Sequence, residues 1–247
     1  MARTVYVNGE FVAEEKACIS IFDRGFLFAD GVYEVTSVVA GKLIDNPAHM
    51  QRLRRSLSEL GLDSPASDDE IEAIQRQLIE LNQLDEGLVY LQVTRGVADR
   101  DFNYPGNTAP TLVMFTQVKT LLNNPKAVQG LKIITTPELR WRRRDIKTVG
   151  LLASCLAKNL AAQSGADDAW FVEDGLITEG SSNNAYIVTD DQCIVTRQLG
   201  SEILHGVTRH VILGFAEEAG YRVEERAFSP EEAYQAKEAF LTSASTF

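Results

Sequence analysis

Lys147 closes the run Arg142-Arg143-Arg144-Asp145-Ile146-Lys147 and precedes an apolar stretch with helical spacing. Neighbouring cations and a helix start both disfavour an ammonium there, and a free amine is what attacks an aldehyde. Thr178-Glu179-Gly180-Ser181-Ser182-Asn183 surrounds one carboxylate with hydroxyl and amide groups, a setting in which it can stay ionised and face a cation. Leu204-His205-Gly206-Val207-Thr208 opens a helix, so its unpaired N–H groups and a Thr hydroxyl offer a seat for phosphate. Thr242-Ser243-Ala244-Ser245-Thr246 follows a short apolar run and could add donors to the same anion. Each has an ordinary alternative: a solvated basic stretch, a polar turn, a plain helix cap, a polar tail. Taken together, a nucleophilic lysine, a carboxylate and two phosphate-donating turns match what pyridoxal 5′-phosphate requires. The lysine holds the aldehyde as an imine, the carboxylate keeps the ring nitrogen protonated, and the turns hold the phosphate. A nucleotide is not indicated, since neither GxGxxG nor GxxxxGK[ST] occurs.

These residues need a scaffold, and the patterning supplies one of mixed type. Val5–Val7 and Glu10–Val12 flank Asn8-Gly9, a hairpin signal. Gly31 to Lys42 alternates, with Val32, Glu34, Thr36 and Val38 on one face, and Gly41-Lys42 turns the chain back. Helices are predicted over 48–60, stopped by Gly61, and from a Ser67 cap to Asn82. Strands follow at 89–95 and 111–118, separated by a polar loop, 96–110, long enough to suggest a functional role. Residues 119–129 lose periodicity and read as a linker. Beyond them strands at 131–135, 168–172, 176–177, 185–189, 193–196 and 239–241 mix with helices at 149–164, 208–219 and 231–236. The reading is an α/β (α+β) chain of two lobes.

Composition narrows the function classes. Among 247 residues, 24 Lys+Arg stand against 35 Asp+Glu, a net charge of -11, which argues against nucleic-acid or anionic-membrane binding. No apolar run approaches the ~20 residues of a spanning helix, and Met1–Tyr6 lacks a signal peptide's pattern, which points to the cytoplasm. Cys18, Cys155 and Cys193 are scattered and read as buried thiols. His49, His205 and His210 show no metal-ligand spacing, so no metal is expected.

The chain resembles the fold-type IV pyridoxal-phosphate enzymes along essentially its whole length, and within them the D-amino-acid aminotransferases. The resemblance rests on Asp23-Arg24-Gly25, Asp30-Gly31-Val32-Tyr33-Glu34, His49-Met50-Gln51-Arg52-Leu53, Val93-Thr94-Arg95-Gly96, Asp145-Ile146-Lys147, Thr178 to Asn183 and Gly206-Val207-Thr208-Arg209, in that order. It implies a small domain over 1–120, a linker over 121–126 and a large cofactor-binding domain over 127–247 with a mixed, barrel-like sheet. The cofactor would lie between the lobes of a homodimer. It implies that Lys147 is the Schiff-base lysine and proton shuttle and that Glu179 pairs with the pyridine nitrogen. Arg52, Val207, Thr208, Ser243 and Ala244 would hold the phosphate, Leu204 would pack on the ring, and Ser181 and Ser182 would lie around the cofactor. Arg52 shares its predicted helix with Arg54 and Arg55, so a basic helix face is the plainer reading of that position. Tyr33 and Arg100 would hold the substrate α-carboxylate. The implied reaction is ping-pong transamination between a D-amino acid such as D-alanine and 2-oxoglutarate or pyruvate.

Two departures from the family stand out. Its carboxylate-binding loop carries Arg-x-His, whereas Arg100-Asp101-Phe102 puts Phe in the place of His. That substitution leaves room for an (R)-amine transaminase. Aminodeoxychorismate lyase and branched-chain aminotransferase share the scaffold, and a non-catalytic cofactor binder is opposed by the joint presence of Lys147 and Glu179. The family also continues by a strand and a helix past the Thr-Ser turn, so the expectation is a chain truncated after Phe247.

Overall fold

Asn8 and Gly9 take positive φ angles of 47° and 103°, the backbone a tight hairpin needs. They join β1 (Thr4–Val7) to β2 (Glu10–Ala13) in the computed structural model, which describes residues 2–246. What was expected beyond Phe247 lies outside the described residues. The chain divides into two units: residues up to Leu121 together with Ile146–Gly150, and Leu122–Asp145 together with residues from Leu151 on.

In the first unit a short helix, α1 (Arg24–Phe28), precedes β3 (Gly31–Val39) and β4 (Lys42–Leu43). Two amphipathic helices follow, α2 (Asn46–Glu59) and α3 (Asp68–Leu81), then β5 (Gly87–Thr94) and β6 (Thr111–Val118). Ser67 and Glu70 close a capping box on α3, each side chain bonding the other's backbone N–H. The strands form an antiparallel sheet in the order β2-β1-β6-β5-β3-β4. Its core joins Val32, Leu91, Val93 and Met114 of the sheet to Leu53 and Leu57 of α2 and to Ile71 and Leu78 of α3. Each such burial contributes about 2 kcal/mol.

Ile146 belongs to this core as well. Tyr33 N–H donates to Lys147 O (3.0 Å) and Val149 N–H to Gly31 O (3.1 Å), so residues 147–149 run extended against β3. This corrects two expectations. The helix predicted from residue 149 begins at Leu152, because its first residues are engaged with β3. Lys147 groups with the first unit and not with the residues after the linker. The linker stretch itself carries a short helix, α4 (Pro125–Gln129), capped by Asn124.

In the second unit β7 (Ile133–Pro137) pairs in parallel with β8 (Asp168–Glu173) through the crossover helix α5 (Leu152–Gln163). Parallel neighbours need such a crossover. β9 (Leu176–Gly180) returns antiparallel to β8 after a turn at Asp174-Gly175. A second sheet has the order β12-β11-β10-β13, built from β10 (Asn184–Val188), β11 (Cys193–Thr196), β12 (Arg222–Glu225) and β13 (Glu238–Thr242). Helix α6 (Val207–Glu218) is the crossover between the parallel pair β11 and β12, and α7 (Pro230–Gln235) precedes β13. Hydrogen bonding thus groups these strands into two mixed sheets, which share a core of Trp170, Ile177, Ala185, Ile187, Val195 and Phe228. Of the three cysteines expected inside, only Cys193 is buried; Cys18, on the loop before α1, and Cys155, on α5, are exposed.

Candidate active site

β3 sends Tyr33 to one face and Glu34 to the other. Lys147 Nζ lies 4.2 Å from the centre of the Tyr33 ring, a cation–π distance. Its backbone is fixed on both sides of the residue by the pairing with β3, and its own N–H donates to Ser56 Oγ at 3.3 Å. The surroundings predicted for this lysine are not the ones found. The helix start lies farther along, at Leu152, and two of the three arginines before it are matched by carboxylates: Arg143 to Asp145 (3.0 Å) and Arg144 to Glu173 (2.8 Å). The Tyr33 ring stacks on Tyr90, which stacks on Phe115, at 5.6 and 4.7 Å. Burial and the neighbouring Tyr33 push the Tyr90 hydroxyl up to about 12.

On the core face, Glu34 is 1% exposed. Arg52 Nε and Nη2 each donate to it at 2.8 Å, a two-pronged charged pair, and His49 Nδ1 donates at 2.8 Å. The histidine tautomer follows from a carboxylate that can only accept. Burial alone would raise the Glu34 carboxyl, but Arg52 and His49 hold it at about 2. Arg52 is thus distinct from Arg54, which is exposed and paired with Asp68. Arg100 sits in the 96–110 loop with the rings of Phe28 and Phe102 at 5.4 and 5.5 Å. Among the described residues it makes no hydrogen bond or ion pair.

In the second unit Glu179 does not lie in the solvated turn that its sequence context suggests. It belongs to β9, where Thr178 and Glu179 together stand opposite Phe171. This bulge breaks the alternation and leaves Ile177 to Gly180 all buried. Arg140 Nη1 donates to Glu179 Oε1 (2.7 Å), Asn184 Nδ2 to Oε2 (2.9 Å), and the Leu204 N–H to both oxygens (3.1–3.2 Å). Burial pushes the Glu179 carboxyl up, while Arg140 and the Leu204 N–H pull it back. Arg140 also grips Glu138, whose carboxyl it keeps below the ordinary range against burial. The Asn184 side chain donates to Leu204 O as well, and its backbone pairs with Thr242, so one residue ties Glu179 to the loop before α6 and to the end of β13.

Val207 and Thr208 are the first two residues of α6, and the preceding Gly206 makes no side-chain cap, so the first-turn N–H groups keep their capacity for an anion. A Cβ on Gly206 would stand 2.1 Å from Asn184 Oδ1, so only glycine fits that approach. Ser243 turns back on Thr246 through paired backbone bonds, and its hydroxyl accepts from the Ser245 N–H at 3.2 Å; Ala244 lies within this turn. The Ser181 hydroxyl donates to buried Asp168, and Ser182 is exposed. Within the second unit, a buried carboxylate suited to a cationic ring nitrogen and an uncapped helix start suited to phosphate fit the demands of pyridoxal phosphate; within the first unit, Lys147 offers an amine. Arg140 and Asn184 are functional neighbours that carried no motif. Among the described residues no group of His, Cys, Asp or Glu is arranged to hold a metal, and no helix is long and apolar enough to cross a membrane.

Residues 31–247 match the family described as amino-transferase class IV. Over 241 residues the chain is 36% identical to a D-alanine aminotransferase of Bacillus licheniformis, covering 97% of this chain and 84% of that one. It is 36% identical over 244 residues to a D-alanine aminotransferase of Staphylococcus aureus strain MSSA476, at 98% and 85% coverage. The branched-chain amino acid aminotransferase of Escherichia coli superposes with a TM-score of 0.91 over 99% of this chain and 84% of that one, at 23% identity. That likeness shows the fold alone.

Proposed function

Since the chain belongs to the class IV aminotransferases, we propose that it transfers an amino group between a D-amino acid such as D-alanine and a 2-oxo acid, 2-oxoglutarate or pyruvate, in two half-reactions with pyridoxal 5′-phosphate. The observation that carries the reading is Glu179, a fully enclosed carboxylate with one guanidinium, one amide and one backbone N–H as its partners. Such a group has a reason to be buried if it faces a second cation.

Pyridoxal phosphate, when bound, supplies a carbonyl carbon for amine exchange and a protonated ring that takes up the electron pair left at the substrate Cα. Lys147 would hold the cofactor through Nζ and, as a free amine, would carry the proton of the substrate Cα. Glu179 holds the proton on the ring nitrogen. Val207 and Thr208 receive the phosphate at the start of α6, with Ser243 and Ala244 from the last turn and Arg52 from α2. Leu204 would pack on the ring. Tyr33 and Arg100 take the substrate carboxylate, the guanidinium by a two-point contact. Relatives that are D-alanine aminotransferases support the D-amino acid over the (R)-amine, lyase and branched-chain alternatives. The working unit in this reading is a homodimer, supported by an exposed stripe on α5, where Leu152, Leu156 and Leu160 are 74, 57 and 45% exposed. Light scattering on the eluting protein tests it.

The chemistry is tested by absorbance of the purified protein with pyridoxal phosphate, before and after D-alanine without an acceptor. The expected result is a visible band that falls as a near-ultraviolet band grows, and that returns with pyruvate. A band indifferent to D-alanine but responsive to L-leucine or (R)-1-phenylethylamine overturns the substrate; absence of any band in folded protein overturns the cofactor.

A further inference from the structure

Arg24 is 2% exposed, yet it stands at the foot of a surface loop. Its Nε donates to Asp30 Oδ2 at 2.7 Å. Its Nη1 donates to the backbone carbonyl of Asp101 at 2.7 Å and faces that of Asn103 at 3.4 Å. The same Asp30 oxygen accepts from Arg95 Nε at 2.7 Å, and Arg95 in turn donates to the carbonyls of Leu60 and Gly61, just past the end of α2. The Tyr104 ring lies on the Arg95 guanidinium, 3.7 Å from its carbon. Asp101 Oδ1 accepts from both the N–H and the side-chain amide of Asn103, which shapes the loop so that its carbonyls turn toward Arg24. Two buried guanidiniums on one carboxylate therefore clamp residues 101–104, and Arg100 is the residue immediately before the clamp.

The base of the clamp is itself fixed. Asp23 caps α1 by accepting from the Gly25 N–H (2.8 Å) and accepts from the Thr94 hydroxyl (3.0 Å). The Arg24 N–H donates to Gly96 O at 2.9 Å. A Cβ on Gly25 would come within 2.3 Å of the Thr94 methyl, so only glycine lets α1 sit this close to β5. Among the described residues Arg100 has no polar partner of its own. Its direction is set by Phe28 and Phe102, whose rings meet edge-on at 5.6 Å, and by the backbone that Arg24 holds.

We propose that Arg24 is a positioning residue for substrate recognition: by binding the carbonyls of Asp101 and Asn103 from beneath, it aims Arg100 at the substrate carboxylate. The inference rests on the reading of Arg100 given above. Lysine cannot replace Arg24, because a point donor that keeps Asp30 cannot also span to the loop carbonyls.

The test is the half-reaction of the cofactor-loaded enzyme with D-alanine, followed by the visible band, which separates the apparent Kd from the limiting rate. Arg24→Lys is expected to raise the apparent Kd about tenfold and to leave the limiting rate within about twofold, the pattern of lost binding shared by ground and transition states. Arg100→Gln is expected to raise Kd at least as much. In the double variant Arg24→Lys adds nothing further, because its effect runs through Arg100. An unchanged Kd in Arg100→Gln overturns the role of Arg100. A weakened Arg100→Gln with an unchanged Arg24→Lys, or additive effects in the double variant, overturns the role of Arg24. If Arg24→Lys does not fold, Asp101→Ala stands in for it: the residue is exposed, and losing its Asn103 bonds is expected to raise Kd about threefold. No rise in that variant overturns the clamp.

Discussion

Replacing Glu34 by glutamine tests whether the buried charge cluster of the first unit holds that unit together. The carboxyl sits at about 2 against an ordinary 4.5, because Arg52 and His49 outweigh the cost of burial. At about 1.4 kcal/mol per pH unit, that displacement corresponds to about 3 kcal/mol of stability at neutral pH. Glutamine keeps the shape but turns an NH2 toward a donor, and Arg52 loses its two-pronged anion; breaking such a pair costs about 3–5 kcal/mol. For a chain of this size the melting temperature should fall by about 6–12 °C. The sign of the pH dependence follows from a depressed carboxyl. Its contribution is complete above about 4.5 and is lost as pH falls toward 2. The stability gap between wild type and Glu34→Gln, measured by urea unfolding, should therefore be flat down to about pH 4.5 and then narrow by up to about 1.4 kcal/mol per unit. A gap below about 1 kcal/mol at pH 7, or one that stays constant down to about pH 3.5, would refute the reasoning.

Four other outcomes are expected. Lys147→Ala should remove the visible band of the cofactor-loaded protein and lower the transamination rate by at least about 10⁴-fold, since one residue both binds the carbonyl and moves the proton. Glu179→Gln should retain cofactor but lose roughly 10²-fold in kcat by steady-state assay, the scale of one lost charge aimed at a developing one. Arg140→Met removes the cation that opposes burial at Glu179, so that carboxyl rises further, and the acid-side fall in kcat should move to higher pH in the rate profile. Ser67→Ala breaks the capping box on α3 and should cost about 1 kcal/mol, read as a melting point lower by about 2–4 °C with kcat unchanged.

Local grammar in the sequence was enough for most of the first unit's elements, though not for the short helix α1, which falls on residues read as a break. Asn8-Gly9 marks the first hairpin, Ser67 with Glu70 marks the start of α3, and alternation over 31–39 marks β3. The same alternation put Glu34 on the face of Val32 and Val38. A carboxylate there must have a cation, and Arg52 on the following helix is that cation. The second unit was less legible because its decisive features are long-range. The bulge that buries Glu179 arises from how β9 pairs with β8, and nothing in Thr178-Glu179-Gly180 announces it. Arg140, an isolated arginine between Leu139 and Trp141, has meaning only through Glu138 and Glu179. β12 is a polar edge strand, Arg-Val-Glu-Glu, whose identity comes from its parallel partner β11. Lys147 was legible by type and order, but its extended backbone was not, because apolar residues of helical spacing continue through it while β3 claims its peptide groups.

The grouping of Ile146–Gly150 with the first unit bears on how the protein is made. The chain passes between its two units at Leu121–Leu122, at Asp145–Ile146 and again at Gly150–Leu151. As the polypeptide leaves the ribosome, the β3 edge appears long before the segment that completes it, so the first unit stays unfinished until part of the second has been synthesised. A cut at Leu121 would not yield a whole N-terminal fragment, whereas a fragment ending at Gly150 would carry its missing piece as a tethered strand. Lys147, the proposed Schiff-base residue, travels with that late piece, so an incomplete nascent chain does not yet hold this amine against β3.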